Sequence, residues 1–339
     1  MLDGKRVLVT GGTGSFGQAF TRYALEENKP SELIIFSRDE YKQSEMAKTF
    51  SPEDYPIRYF LGDVRDKERL LRAFTGVDYV VHASALKQVP ALEHNPFEAV
   101  RTNILGAQNV IEAALERSVS RVVAISTDKA VAPINLYGAT KLAMEKLIVA
   151  ANAYVRYRDI GFAVVRYGNV VGSRGSVIPY FIELIGQGER ELPVTDESMT
   201  RFWITLDQGV RLVVRALGEA RGGEVYVPRI PSMKVMDLLA AMPECCTHRV
   251  IGRRPGEKLH EILISEDEAH RTIDCGECYV VLPEFAEADW AGRYHGYVGP
   301  VPAGFSYRSD NNPEWVSTEQ MRGLIEKPQT RRSAASRAR

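Results

Sequence analysis

The sequence predicts an α/β protein, a doubly wound parallel sheet with helices on both faces, joined to a smaller mixed C-terminal lobe. Three observations predict it. Short apolar runs alternate with helical patterns from Arg6 to Tyr167; a glycine-rich loop joins the first run to the first helical pattern; and after Gly168 glycine, basic and aromatic residues replace the alternation. At 339 residues the chain has room for about two domains and a substantial core. The expected boundaries are 1–169 for the sheet domain and 170–290 for a lobe partly interleaved with it. Residues 291–339 read as an irregular extension whose basic tail, with Arg331, Arg332, Arg337 and Arg339, is expected to be disordered.

Charge narrows the partners. Lys and Arg number 43 against 44 Asp and Glu, a net charge of −1, so no global field recruits nucleic acid or an anionic membrane. Any anion must be held locally. The N-terminus runs straight into a short strand and no apolar run reaches membrane-spanning length, so a cytoplasmic protein is expected. Cys275-Gly276-Glu277-Cys278 has the spacing of a metal hook, but Cys245-Cys246 is not a second hook of that kind, and no His pair stands at zinc-finger spacing. Free thiols on or near a strand are expected, and no metal.

Taken in order, Arg6-Val7-Leu8-Val9-Thr10 is a buried strand that opens into Gly11-Gly12-Thr13-Gly14-Ser15-Phe16-Gly17 before a helical pattern begins at Gln18. Strand, glycine loop and helix in this order are the context in which backbone amides at a helix N-terminus hold a dinucleotide pyrophosphate. Gly11, Thr13, Gly14, Ser15, Phe16 and Gly17 are the candidate contacts. The second strand, Leu33-Ile34-Ile35-Phe36, ends about twenty residues beyond the last glycine, where an NAD site places a carboxylate on the ribose. This chain places Ser37-Arg38 there with Lys42 just beyond, a hydroxyl and two cations suited to a 2′-phosphate. NADP is the expected cofactor; the alternative leaves Asp39 to hold the ribose of NAD.

A strand from Ile57 to Leu61 delivers Asp63 and Val64, placed for an adenine amine and face. A helix near Lys67 to Phe74 and the strand Tyr79-Val80-Val81-His82 follow, the latter delivering Ala83 and Lys87 to the sheet edge where ligands gather. His82 itself reads as a packed or hydrogen-bonded strand residue. One long helix is expected next, with Asn95-Pro96 near its start and Thr102, Asn103, Gly106 and Asn109 within it. The strand Arg121 to Ser126 then presents Thr127-Asp128-Lys129, and Tyr137-Gly138-Ala139-Thr140-Lys141 opens a further helix reaching to about Arg158. Positions four apart share a helix face, so Tyr137 and Lys141 can enter one site, where the ammonium favours phenolate and makes Tyr137 a base.

Beyond the strand Phe162 to Tyr167, the loop Gly168 to Gly175 suits a nucleotide diphosphate, with Asn169 and Arg174 as candidates and Val170 on the cofactor side. Val177 to Gly186 reads as a helix, and Leu192 to Thr195 as a short extended piece.

The glycine loop, Asp63-Val64 and the set Thr127, Tyr137, Lys141 resemble the extended short-chain dehydrogenase/reductases that act on nucleotide sugars. Ser126 to Ala130, Pro133 to Leu142 and Arg166 to Pro179 further resemble the inverting UDP-N-acetylglucosamine 4,6-dehydratases that begin pseudaminic acid synthesis. The likeness runs from about Lys5 to about Leu282. It implies a homo-oligomer, and substrate contacts from Lys87, Lys129, Asn169, Arg174, Val177, Thr195, Arg201, Arg254 and Glu257, the arginines on pyrophosphate and Glu257 on ribose.

The chemistry so implied can be argued from residue types. Oxidation at sugar carbon 4, with Tyr137 taking the hydroxyl proton, acidifies the carbon 5 proton by conjugation. Elimination of water across carbons 5 and 6 then needs an acid and a base side by side, which Asp128 and Lys129 supply. Retaining relatives carry Thr-Asp-Glu at this stretch; Lys129 replaces that Glu here, matching the inverting group. Two other readings are open to the sequence: a nucleotide-sugar 4-epimerase, which needs no elimination pair, and a non-catalytic NADP-binding regulator, which needs neither Tyr137 nor Lys141.

Overall fold

A computed structural model describes residues 1–155, 158–242, 246–286 and 290–326. Cys245 and the arginine-rich tail lie outside them. The chain forms two compact units, each assembled from three segments. The first comprises Met1–Tyr167, Leu206–Arg229 and Ile262–Ser306; the second comprises Gly168–Thr205, Ile230–Glu261 and the residues from Tyr307 onward. The chain thus returns twice to the first unit, through Leu206–Arg229 and Ile262–Ser306.

In the first unit, β1 (Arg6–Thr10), β2 (Glu32–Ser37), β3 (Ile57–Leu61), β4 (Tyr79–His82), β5 (Arg121–Thr127), β6 (Gly161–Tyr167) and β10 (Val225–Pro228) run parallel in the order β3-β2-β1-β4-β5-β6-β10. The sheet continues antiparallel through β15 (Cys278–Val281), β14 (Thr272–Asp274) and β16 (Gly299–Pro300). Strand order reverses between β1 and β4, and their C-terminal ends flank the crevice where such sheets bind ligands. The runs Val7–Val9 and Leu33–Phe36 are fully buried because helices cover both faces.

The helices of this unit are α1 (Ser15–Glu26), α2 (Glu40–Ala47), α3 (Lys67–Ala73), α4 (Val89–His94), α5 (Pro96–Ala99), α6 (Gly106–Arg117), α7 (Leu136–Ala150) and α9 (Leu206–Glu219). Side-chain caps fix three of their starts: Asp39, Asp66 and Asn135 accept from the amides of Lys42, Arg69 and Gly138 at 3.0, 2.9 and 2.7 Å. The long helix expected from Asn95-Pro96 runs unbroken from Pro96 to Arg117 as α5, a π-helical turn at Val100–Leu105, and α6, with the short α4 as a separate piece before it. Asn95, at φ −132° and ψ 59°, breaks the helical path, and Pro96 restarts it. Helix α7 ends at Ala150 in a 3₁₀ turn, Ala151–Tyr154, short of the expected Arg158.

In the second unit, β9 (Thr200–Ile204) pairs with β7 (Asn169–Val170) and β11 (Ser232–Lys234), and β8 (Glu191–Val194) pairs with β12 (Thr247–Val250). Its core joins Ile178 and Phe181 of α8 (Val177–Gly186) to Leu192 of β8, Trp203 of β9, Met233 of β11 and Leu238 of α10 (Val235–Ala240). Met321 completes that core from α11 (Thr318–Glu326), a helix inside the stretch expected to be irregular.

Candidate active site

The first unit gathers most of the predicted residues at the C-terminal ends of its parallel strands. Gly11 leaves β1 at φ +66°, and a Cβ there would stand 3.0 Å from Ser84 just beyond β4, so the two ends meet backbone to backbone. Thr10 joins them: its hydroxyl bonds His82 Nδ1 at 2.8 Å and accepts from the Ser84 amide at 3.3 Å. Helix α1 begins at Ser15 with Gly14 as N-cap and no side-chain cap, which leaves first-turn amides to face an anion. Thr13 is buried beneath this loop and holds Gln18 through its carbonyl at 3.0 Å. A close backbone crossing beside an uncapped helix start fits a dinucleotide pyrophosphate.

At the end of β2, Ser37 is buried and its hydroxyl oxygen accepts from Gln43 at 3.1 Å, so it supports the turn instead of presenting itself to a ligand as expected. Arg38 is the exposed group, its Nη1 3.7 Å from Asp63. Asp39 caps α2 and pairs with Lys42 at 2.5 Å. Lys42 is thereby tied to Asp39, and the carboxylate named as the alternative for an NAD ribose caps the helix start. Asp63 is gripped by Arg65 at 2.7 and 3.0 Å; burial opposes its charge, but Arg65 outweighs burial and holds the carboxyl below its usual range. Val64 is buried, and its carbonyl accepts from Asn109 of α6 at 2.9 Å. Ala83 is half-buried and Lys87 exposed at the end of the loop after β4.

The candidate catalytic residues meet between β5 and α7. Thr127 donates to Asp128 Oδ1 at 2.8 Å, and Lys129 Nζ reaches the same oxygen at 3.1 Å. Asp128 is fully buried, whereas the Lys129 side chain keeps 25% of its surface. Lys129 is therefore the member of the pair that faces outward. Tyr137 is pushed up to about 12, chiefly by burial, with Asp128 adding to the rise; Lys129 and a hydrogen bond with Thr127 pull it back. Lys141, expected to supply the cation at Tyr137, is engaged elsewhere. Lys141 Nζ instead donates to the Ile125 carbonyl at 2.6 Å, and Lys129 is the cation that favours phenolate. Burial brings Lys141 down to about 8 against the opposing charge of Glu145, and burial together with Lys141 brings His82 down to about 3.

Sequence reasoning missed the residues that brace this arrangement. Asn103, buried in the π-helical turn, exchanges hydrogen bonds with both backbone groups of Leu86 at 2.8 and 2.9 Å and donates to Thr140 at 3.0 Å. It clamps the loop after β4 to α7. Nothing in the primary structure marks this π-helical turn, although such turns are frequent at functional sites. Tyr167, paired with Thr127 across β5 and β6, is buried close enough to Tyr137 to be raised further by it.

The second unit holds the remaining candidates. Asn169 and Val170 form β7, beside Trp203 and Ile204. Val177 opens α8 and packs against the apolar core, and Thr195 Oγ1 lies 3.2 Å from the sulfur of Met199. Arg174 and Arg254 are exposed. Glu257 accepts from the Arg254 amide at 3.3 Å and lies 3.7 Å from Arg201. Arg201 departs from its expected role. It is buried and donates to the carbonyls of Thr200, Leu259 and Lys258 at 2.7, 2.9 and 2.9 Å, so it organises the loop that carries Arg254 and Glu257.

Among the described residues no cluster of His, Cys, Asp and Glu is arranged to hold a metal ion, and no helix is long and apolar enough to cross a membrane. Cys275 and Cys278 are buried and reduced, their thiols raised to about 11 and about 12 by burial.

The profile of a family described as polysaccharide biosynthesis protein matches residues 7–283. UDP-N-acetylglucosamine 4,6-dehydratase (inverting) of Campylobacter jejuni is 51% identical over 330 residues, 96% of this chain and 98% of the relative. UDP-glucose 4-epimerase of Rickettsia akari is 42% identical over 332 residues, 96% of each chain. Among solved structures, Pen from Bacillus thuringiensis matches with a TM-score of 0.88 at 38% identity, covering 96% of this chain and 98% of that one.

Proposed function

The chain belongs to the polysaccharide biosynthesis protein family, on the extended short-chain dehydrogenase/reductase fold, and from that membership we propose that it is an NADP-dependent inverting 4,6-dehydratase of UDP-N-acetylglucosamine. Its class, a hydro-lyase, follows from its relatives. The proposed product is a UDP-4-keto-6-deoxy-L-hexose, the entry compound of pseudaminic-acid-type synthesis. The observation that carries the reading is the hydrogen bond of 3.1 Å between Asp128 and Lys129, made beside Tyr137 by the residues that follow β5.

The glycine loop and α1 would hold the cofactor pyrophosphate, Arg38 its 2′-phosphate, and Asp63 with Val64 its adenine. The chemistry NADP supplies when bound is reversible hydride acceptance, from sugar carbon 4 and back to carbon 6. Tyr137 accepts the proton of the carbon 4 hydroxyl, helped by Thr127 and by the charge of Lys129. The resulting ketone acidifies carbon 5. Within the pair the Lys129 ammonium then passes a proton to Asp128; the neutral Lys129 amine, the exposed member, takes the carbon 5 proton, and the Asp128 carboxylic acid gives its proton to the departing carbon 6 hydroxyl, so that water leaves and the pair returns to ammonium and carboxylate. Reprotonation of carbon 5 on the opposite face gives the L-configured product. In the second unit, Asn169, Arg174, Arg254 and Glu257 are proposed to hold the nucleotide diphosphate.

A second reading, a 4-epimerase, is favoured by the Rickettsia relative. It would use Thr127, Tyr137 and Lys141 and leave Asp128-Lys129 without a task. Incubation of the purified chain with UDP-N-acetylglucosamine separates the two: mass loss of one water supports dehydration, and an isomeric product of unchanged mass supports epimerisation.

A further inference from the structure

Outside the residues given a chemical step, the most elaborate buried cluster lies one helical turn beyond Lys141. Tyr137, Lys141 and Glu145 climb one face of α7 at intervals of four. Glu145 is 2% exposed, as is Arg166, the penultimate residue of β6. Arg166 grips Glu145 through Nε at 3.1 Å and Nη2 at 2.7 Å. The same guanidinium grips Glu268, 102 residues away, at 3.0 Å from both Nη1 and Nη2, and Nη1 also donates to the Leu263 carbonyl at 2.8 Å. All five donors of Arg166 are thus used.

A one-to-one pair of Arg166 with Glu145 would already satisfy a buried ion pair, so the second carboxylate calls for an account. Two cations, Lys141 and Arg166, balance two carboxylates, Glu145 and Glu268. Without Glu268, Arg166 would cancel Glu145 and leave the Lys141 ammonium buried with no counter-charge. We propose that Glu268 is a positioning residue which, by neutralising Arg166, leaves Glu145 to keep Lys141 in its ammonium form beneath the catalytic site.

The other charged neighbours do not take over this task. His82 faces Lys141 from β4 and is neutral through burial, and β5 offers Lys141 the Ile125 carbonyl. Arg271 lies 3.9 Å from Glu268 but pairs at 3.2 Å with Glu284. Glu268 is itself fixed by Ser265, whose amide and hydroxyl it accepts at 3.1 and 3.2 Å. A purely structural clamp would fasten segment 262–268 to the sheet and leave the titration of Lys141 unchanged. That difference makes the proposal testable.

The proposal deepens the site described above and rests on Lys141 belonging to it, but its test needs no nucleotide sugar, so dehydration could fail while it stands. The full chain is labelled with lysine carrying ¹³C at the ε carbon, and the Lys141 resonance is identified by its loss in Lys141→Arg. Its titration is then followed by NMR. In Glu268→Gln the midpoint should fall by about one pH unit. A folded Glu268→Gln that titrates like the parent overturns the proposal. If that variant does not fold, Arg166→Met combined with Glu268→Gln removes one charge of each sign and leaves Glu145 to Lys141 alone. The midpoint should then rise above the parent's, and an unmoved or lower midpoint overturns the proposal.

Discussion

Gly138 and Lys129 are packed so closely that a methyl group on the Gly138 α-carbon would overlap the Lys129 carbonyl oxygen. Helix α7 therefore lies directly on the turn that carries Asp128 and Lys129, and the glycine between Tyr137 and Ala139 is what permits it. Gly138→Ala must push the helix and the turn apart, misplacing base and elimination pair together. A displacement near 1 Å costs on the order of a hundredfold in rate. Initial rates of the variant, measured beside its melting temperature, should show that loss in a chain that still folds.

Lys129→Ala separates the two halves of the proposed chemistry. Oxidation at carbon 4 needs Tyr137 and Thr127 and is only assisted by the charge of Lys129, so it should be slowed in the variant, whereas elimination needs Lys129 itself. The variant should lose dehydration by about 10²–10⁴-fold. It should still reduce bound cofactor in a single turnover, visible as nicotinamide absorbance. Tyr137→Phe should lose both signals.

The proposed preference for NADP rests on Arg38, because Lys42 is paired with Asp39 and the Ser37 hydroxyl is bonded to Gln43. Arg38→Ala should weaken NADP by about tenfold to a hundredfold, the scale of a lost charge-assisted hydrogen bond, and leave NAD affinity unchanged. Lys42→Ala should change the ratio far less. Calorimetric titration with each dinucleotide reads both outcomes.

His82 ties the crevice to acid stability. Burial, and Lys141 after it, bring its folded value to about 3 from an ordinary 6.5, so between those two pH values the unfolded chain binds a proton that the folded chain refuses. Stability from this group is complete above the ordinary value and drains as pH falls toward the folded one, at about 1.4 kcal/mol per pH unit. Urea unfolding across that window should fall less steeply in His82→Gln than in the parent.

The parts of the site legible in the sequence are contiguous ones. Strand, glycine loop and α1 are consecutive, and Thr127 to Lys129 and Tyr137 to Lys141 stand within one short stretch, so local periodicity was enough to place them. What escaped depends on long-range closure. Asn103 meets partners 17 and 37 residues away, and Arg166 meets Glu268 across 102. The only trace of Arg166 in the sequence is a charged residue near the end of an apolar strand, which a surface position would also leave. Arg201 was misread for a related reason: an arginine that binds phosphate and one that binds carbonyls look alike until the loop from Lys258 to Leu259 is folded over it. Helix α11 escaped because it is nine residues long and anchors itself through Met321, too little for a periodic signal.

The central claim is that Lys129 and Asp128 make this site an inverting dehydratase. It is tested most directly by incubating the chain with UDP-N-acetylglucosamine in deuterated water and resolving the product by NMR. The account predicts a 4-keto-6-deoxy product with deuterium and inverted configuration at carbon 5. Deuterium with retained configuration at carbon 5 would contradict the role given to Lys129, and interconversion with UDP-N-acetylgalactosamine without loss of water would contradict the dehydratase itself.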